Sequence, residues 1–221
     1  DLHSFPTRRS SDLLSWEDMD GSLFSVEILD KNYRGIEISM AGRHQTENAV
    51  CALYAIEVLR RQGKIDVSTA DIRKGMKKAV NLGRMEILSK EPYILIDGAH
   101  NADGARALKE TVLKNFAGKK ILMVTGILAD KEVEQAAHHF REIASEFIVT
   151  EPANPRALKT VEFARIIGKL GGKCTEIPDP KDAVKQAMDG RERYDLIVFA
   201  GSLYLIGDIR SDILYYCGKM S

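Results

Sequence analysis

The run Tyr93-Ile94-Leu95-Ile96-Asp97-Gly98-Ala99-His100-Asn101 carries an apolar stretch into a carboxylate, a small-residue turn, an imidazole and an amide. A helical pattern begins directly afterwards. Strand, polar switch and helix start is how an α/β sheet presents ligand-binding groups at the carboxyl ends of its strands. Asp97 at the strand end can hold a sugar hydroxyl. His100, further along the turn, can reach a phosphate or a neighbouring anion, because the N–H groups of a helix start favour negative charge.

Other side chains suit the same chemistry. Arg84 offers a planar guanidinium that binds phosphate oxygens in pairs and keeps its charge. Placed between two lobes, it can touch a nucleotide on closure. Asn48 both donates and accepts, which matches the amino group and ring nitrogen of adenine. It falls within a helical pattern, where asparagine is out of place on propensity. Ser202 follows an apolar strand and is a helix-capping type. Lys131, at the end of Gly126-Ile127-Leu128-Ala129-Asp130-Lys131, can hold a carboxylate. His44 and Gln45 read as structural, with a substrate-side role equally open to them, and His138-His139 as a partly exposed helical pair. Neither Gly-x-x-x-x-Gly-Lys-[Ser/Thr] nor Gly-x-Gly-x-x-Gly occurs after a strand, and there is no nucleophile elbow.

The elements that must position these residues follow from periodicity. Ser22 to Leu29 and Tyr33 to Ser39 read as a hairpin turning at Asp30-Lys31-Asn32. Gln45 to Arg61 has helical spacing and Gly63 closes it. Ser68 caps a second helix that carries Ile72, Met76 and Ala79 on one face. The domain boundary falls near Asn81-Leu82-Gly83. Beyond it, strands and helices alternate: strands at 84–89, 93–97, 120–125, 147–150, 173–177 and 194–200, and helices at 103–116, 132–143, 161–170, 181–188 and 203–214. That pattern predicts an α/β fold with a mostly parallel, Rossmann-like sheet flanked by helices.

The chain has 221 residues, 44% hydrophobic and 29% charged, with acidic and basic residues balanced at 32 each. This balance does not point to nucleic acid or a membrane surface. The three cysteines, Cys51, Cys174 and Cys217, are widely spaced in apolar contexts. They are expected to be buried free thiols in a reducing cytoplasm, with no zinc site. Asp1 to Leu13 looks like one reading frame of a sequencing-library adapter and is set aside as disordered.

Four stretches carry a resemblance: Gly42-Arg43-His44-Gln45-Thr46-Glu47-Asn48-Ala49, Gly83-Arg84-Met85-Glu86 with Asp97-Gly98-Ala99-His100-Asn101, Gly126 to Lys131, and Gly201-Ser202-Leu203-Tyr204-Leu205-Ile206-Gly207-Asp208. In this order they resemble the folylpolyglutamate synthase/dihydrofolate synthase branch of the Mur ligase family, from about Leu14 to the C-terminus. Ala102 stands where that family commonly has proline. The resemblance implies that residues 14–82 are the end of a central ATP-binding domain and residues 83–221 a glutamate-binding domain. It implies an ATP-dependent ligase joining L-glutamate to a folate. The acceptor carboxylate takes the γ-phosphate of ATP, and the glutamate amine then displaces phosphate. Asn48, Arg84 and Asp97 would contact the nucleotide. His100, Ser202 and Lys131 would serve the glutamate side, with His100 nearest the chemistry. The phosphate loop, magnesium ligands and folate-binding elements would lie in an N-terminal half. The full enzyme is expected to be a cytoplasmic monomer and this chain, alone, inactive. Its truncated first domain is expected to expose apolar surface around Phe24, Val26 and Val50. The runner-up readings are a Mur ligase acting on a cell-wall precursor and a noncatalytic Rossmann-like binding module.

Overall fold

The computed structural model describes residues 14–129 and 132–218. The chain divides into two units, Asp1–Asn81 and Leu82–Ser221, within a residue or two of the sequence boundary. The adapter-like stretch Asp1 to Leu13 lies outside the described residues.

In the first unit, β1 (Leu14–Asp18), β2 (Gly21–Ile28) and β3 (Lys31–Ile38) form an antiparallel sheet in that order. The alternation read in the sequence sets its inner face. Phe24, Val26, Ile28, Tyr33, Ile36 and Ile38 are buried against Leu53 of α1 (Arg43–Arg61) and Ile72 and Met76 of α2 (Thr69–Lys78). Ser68 caps α2 by accepting from Asp71 N–H at 3.1 Å.

Three expectations need correction here. The hairpin turns at Leu29-Asp30, and Lys31 and Asn32 already belong to β3. Leu29 takes the left-handed conformation at φ 57°, which its type does not signal. Phe24 and Val26 are only 1% and 4% exposed; the unit closes its own core, so these residues do not form the bare apolar surface expected of them. The cysteines also differ: Cys51 is exposed, and Cys174 and Cys217 are half-buried, all as free thiols.

The second unit holds a sheet in the order β4-β5-β9-β6-β7-β8. Its strands are β4 (Glu86–Lys90), β5 (Tyr93–Asp97), β6 (Ile121–Thr125), β7 (Glu146–Val149), β8 (Lys173–Glu176) and β9 (Leu196–Ala200). All neighbours pair in parallel except β4, which runs antiparallel to β5. The helices are α3 (Ala102–Phe116), α4 (Val133–Ile143), α5 (Thr160–Lys169), α6 (Pro180–Asp189) and α7 (Leu203–Tyr216). β6 and β9 are buried at every residue, as continuous apolar runs inside a parallel sheet should be. Ile94, Ile96, Leu122, Val124, Ile148, Ile197 and Phe199 pack with Val184 and Met188 of α6 and Leu205, Ile209 and Ile213 of α7. α3 packs with α4. Among the described residues no helix is long and apolar enough to cross a membrane.

Candidate functional site

The chain order inserts β9 between β5 and β6, so the carboxyl ends of three strands stand side by side. Asp97 pairs with Ala200, and Ala200 with Thr125, in one layer of the sheet. The turns that follow these strands therefore rise next to one another, the arrangement in which open α/β sheets bind ligands.

The turn after β5 packs directly on the start of α7. A Cβ at Gly98 would come within 2.2 Å of Leu203 Cδ2, so a larger residue there would have to displace that leucine side chain. Asp97 is buried, and its carboxylate ties two backbone segments together: Oδ1 accepts from Ala99 N–H at 2.7 Å and Oδ2 from Met85 N–H at 2.8 Å. His100 is exposed, with Nδ1 2.9 Å from Gly98 O. A carbonyl only accepts, so Nδ1 carries the hydrogen and Nε2 is the nitrogen available for outside chemistry.

Asn101 is the N-cap of α3, accepting from Gly104 N–H at 2.9 Å. Glu132 Oε2 accepts from Ala102 N–H at 2.9 Å. Two first-turn donors of α3 are thus already met by oxygen acceptors, one of them a carboxylate. This makes the α3 start a poorer phosphate cradle than the sequence suggested. Ser202, 2% exposed, caps α7 by accepting from Tyr204 N–H at 3.1 Å. Its neighbour Gly201 has φ +119°, and a Cβ there would lie 2.6 Å from Gly126 O and 2.7 Å from Thr125 Oγ1. The Thr125 hydroxyl itself is buried without a hydrogen-bond partner.

Arg84 sits half-buried in the segment leading into β4, tied to the same turn through Met85 and through Gly98 N–H, which donates to Gly83 O at 2.7 Å. The second unit therefore brings Asp97, His100, Ser202 and the Arg84 segment to one crest. Asn48 belongs to the first unit; it is exposed on α1 and its Nδ2 donates to Gln45 Oε1 at 3.3 Å. Gln45 is buried. Lys131 lies outside the described residues.

Sequence reasoning missed Glu86 and Arg210. Arg210 of α7 grips Glu86 of β4 through Nε at 3.1 Å and Nη2 at 2.6 Å, and the pairing holds the Arg210 guanidinium even more firmly in its charged form. The histidine pair joins a helix contact: His138 Nδ1, His139 Nδ1 and Lys109 Nζ lie 3.3, 3.4 and 3.1 Å from Glu142 Oε1. Hydrogen bonding from Lys109 of α3 leads the effects that hold the Glu142 carboxyl below its ordinary range.

Residues 83–203 match the family Mur ligase, glutamate ligase domain. This chain belongs to that family. Among curated relatives, it is 30% identical over 190 residues to the dihydrofolate synthase/folylpolyglutamate synthase of Bacillus subtilis, covering 86% of this chain and 44% of that protein. It is 30% identical over 200 residues to the folylpolyglutamate synthase of Lacticaseibacillus casei, covering 88% and 44%. Among solved structures, the Mycobacterium tuberculosis folylpolyglutamate synthase complexed with ADP and AMPPCP matches with TM-score 0.81 and 25% identity over 90% of this chain and 47% of that one. The folylpolyglutamate synthase of Thermotoga maritima matches with TM-score 0.75 and 29% identity, covering 94% and 47%. As a Mur ligase family member, the chain thus spans under half the length of these relatives.

Proposed function

We propose that this chain is the part of an ATP-dependent acid–amino acid ligase that holds the nucleotide's adenosine side and the incoming L-glutamate, in an enzyme that lengthens folates. The carrying observation is the crest shared by the Asp97–Asn101 turn, the Arg84 segment and the Ser202-capped start of α7, in a chain of the glutamate ligase family. The folate-enzyme relatives support the acceptor class.

Each residue then has a physical task. Arg84 neutralises phosphate oxygens as charge develops on them. Asp97, anchored by backbone donors, is the carboxylate that accepts from a ribose hydroxyl. His100 offers Nε2 near the reacting carboxyl phosphate, and Ser202 and Lys131 receive the glutamate carboxylate. Asn48 reads the adenine edge. Much of the rate enhancement would come from positioning and charge neutralisation. Magnesium would accompany ATP.

A chimera tests the reading: residues 14–218 replace the matching stretch of the Bacillus subtilis relative. ATP-dependent transfer of glutamate to dihydropteroate or tetrahydrofolate is expected, and no transfer from the 221-residue chain by itself. A folded chimera that ligates no folate contradicts it. Cell-wall ligases also match, one from Streptococcus sanguinis at 28% over 190 residues, so turnover only with a muramoyl-peptide acceptor would move the assignment to that branch.

A further inference from the structure

The segment Gly83–Glu86 is restrained at each residue flanking Arg84. Gly83 N–H donates to Glu86 Oε2 at 2.8 Å, and Gly83 O accepts from Gly98 N–H at 2.7 Å. Met85 N–H donates to Asp97 Oδ2 at 2.8 Å. Glu86 is gripped in turn by Arg210, 124 positions later in the chain. Within this frame Met85 is 4% exposed and left-handed at φ 47°, a conformation that costs a non-glycine residue about 1–2 kcal/mol. Such a residue persists only where its surroundings over-determine it. Arg84 is the exception in the segment: its guanidinium has no hydrogen bond or ion pair among the described residues.

We propose that Glu86 and Arg210 are positioning residues for Arg84. The bidentate pair, together with Asp97 Oδ2, holds the strained Gly83–Met85 backbone and so presents an uncommitted guanidinium to a polyphosphate. The inference rests on the reading of Arg84 as a phosphate contact. An ion pair that merely tied α7 to β4 would have no need to share its carboxylate with Gly83 N–H beside a strained residue.

The test uses the ¹⁵N-labelled 221-residue chain with inorganic tripolyphosphate as probe. Arg84→Ala and Arg210→Met are each expected to weaken binding about tenfold, and the double variant to bind no worse than either, because both remove one interaction. In Arg210→Met the Met85 amide should exchange faster while Ile197 to Phe199 stay protected. Where Arg84→Ala weakens binding, unchanged binding in Arg210→Met, or losses that multiply in the double variant, overturns the proposal. If Arg84→Ala binds as tightly as the parent, the phosphate reading fails separately, and Met85 exchange decides alone: faster supports the restraint, unchanged refutes it. Should Arg210→Met not fold, Glu86→Gln removes the same charge pairing at constant size and is read identically.

Discussion

At the residue scale, the site is built as much by what is missing from side chains as by what they carry. Gly201 has a positive φ and faces Gly126 O and Thr125 Oγ1 at under 3 Å from an added Cβ. Gly207, on the same helix-bearing segment, meets nothing. Gly201→Ala is therefore expected to destabilise the protein by at least about 2 kcal/mol, whereas Gly207→Ala should stabilise α7 by up to about 1 kcal/mol. Denaturant melts of the two variants check this, and equal effects would contradict the geometry. Asp97 shows where the sequence stopped informing. Its contact with Ala99 N–H is local and follows from the turn, but its hold on Met85 N–H crosses from β5 to the entry of β4. Glu86 and Arg210 were illegible for the same reason: nothing local marks two charges that meet only after the sheet has folded.

At the element scale, legibility tracked periodicity. The continuous apolar runs of β5, β6 and β9 and the stripes of α4 and α5 stood out. β1 did not: Leu14-Ser15-Trp16-Glu17-Asp18 is short, alternates over only four residues and pairs along one edge. The fastening of α1 to β3 was also invisible. Glu57, buried on α1, accepts from Tyr33 Oη, from Arg60 at 2.9 Å and from Lys31 at 3.3 Å. Burial alone would raise its pKa, but these three donors outweigh it and hold the carboxyl below its ordinary 4.5. Burial, followed by the same carboxylate, pushes the Tyr33 hydroxyl up to about 12. A carboxyl depressed in the folded state adds stability above its unfolded pKa, and that stability drains away as pH falls through the depressed value. Melting of the first unit should therefore drop below about pH 4.5. Glu57→Gln should be less stable at pH 7 and show a flatter acid limb by circular dichroism. A parallel acid limb in the variant would contradict this role.

At the scale of the whole molecule, two units with separate cores predict separable stability. Between them Val80 and Leu82 are 75% and 61% exposed. Limited proteolysis is expected to cut there and leave a stable fragment beginning near Leu82; a digest with no such fragment would contradict the division. Under the proposed function a nucleotide sits on the second unit at the carboxyl ends of β5 and β9, and ADP titrated into the ¹⁵N-labelled chain checks this. The largest amide shifts are expected at Met85, Gly98 to Asn101 and Gly201 to Tyr204, the crest at the carboxyl ends of β5 and β9. Shifts concentrated instead in the groove lined by Lys173, Thr175, Gln186 and Arg193, or none at saturating ADP, would contradict it.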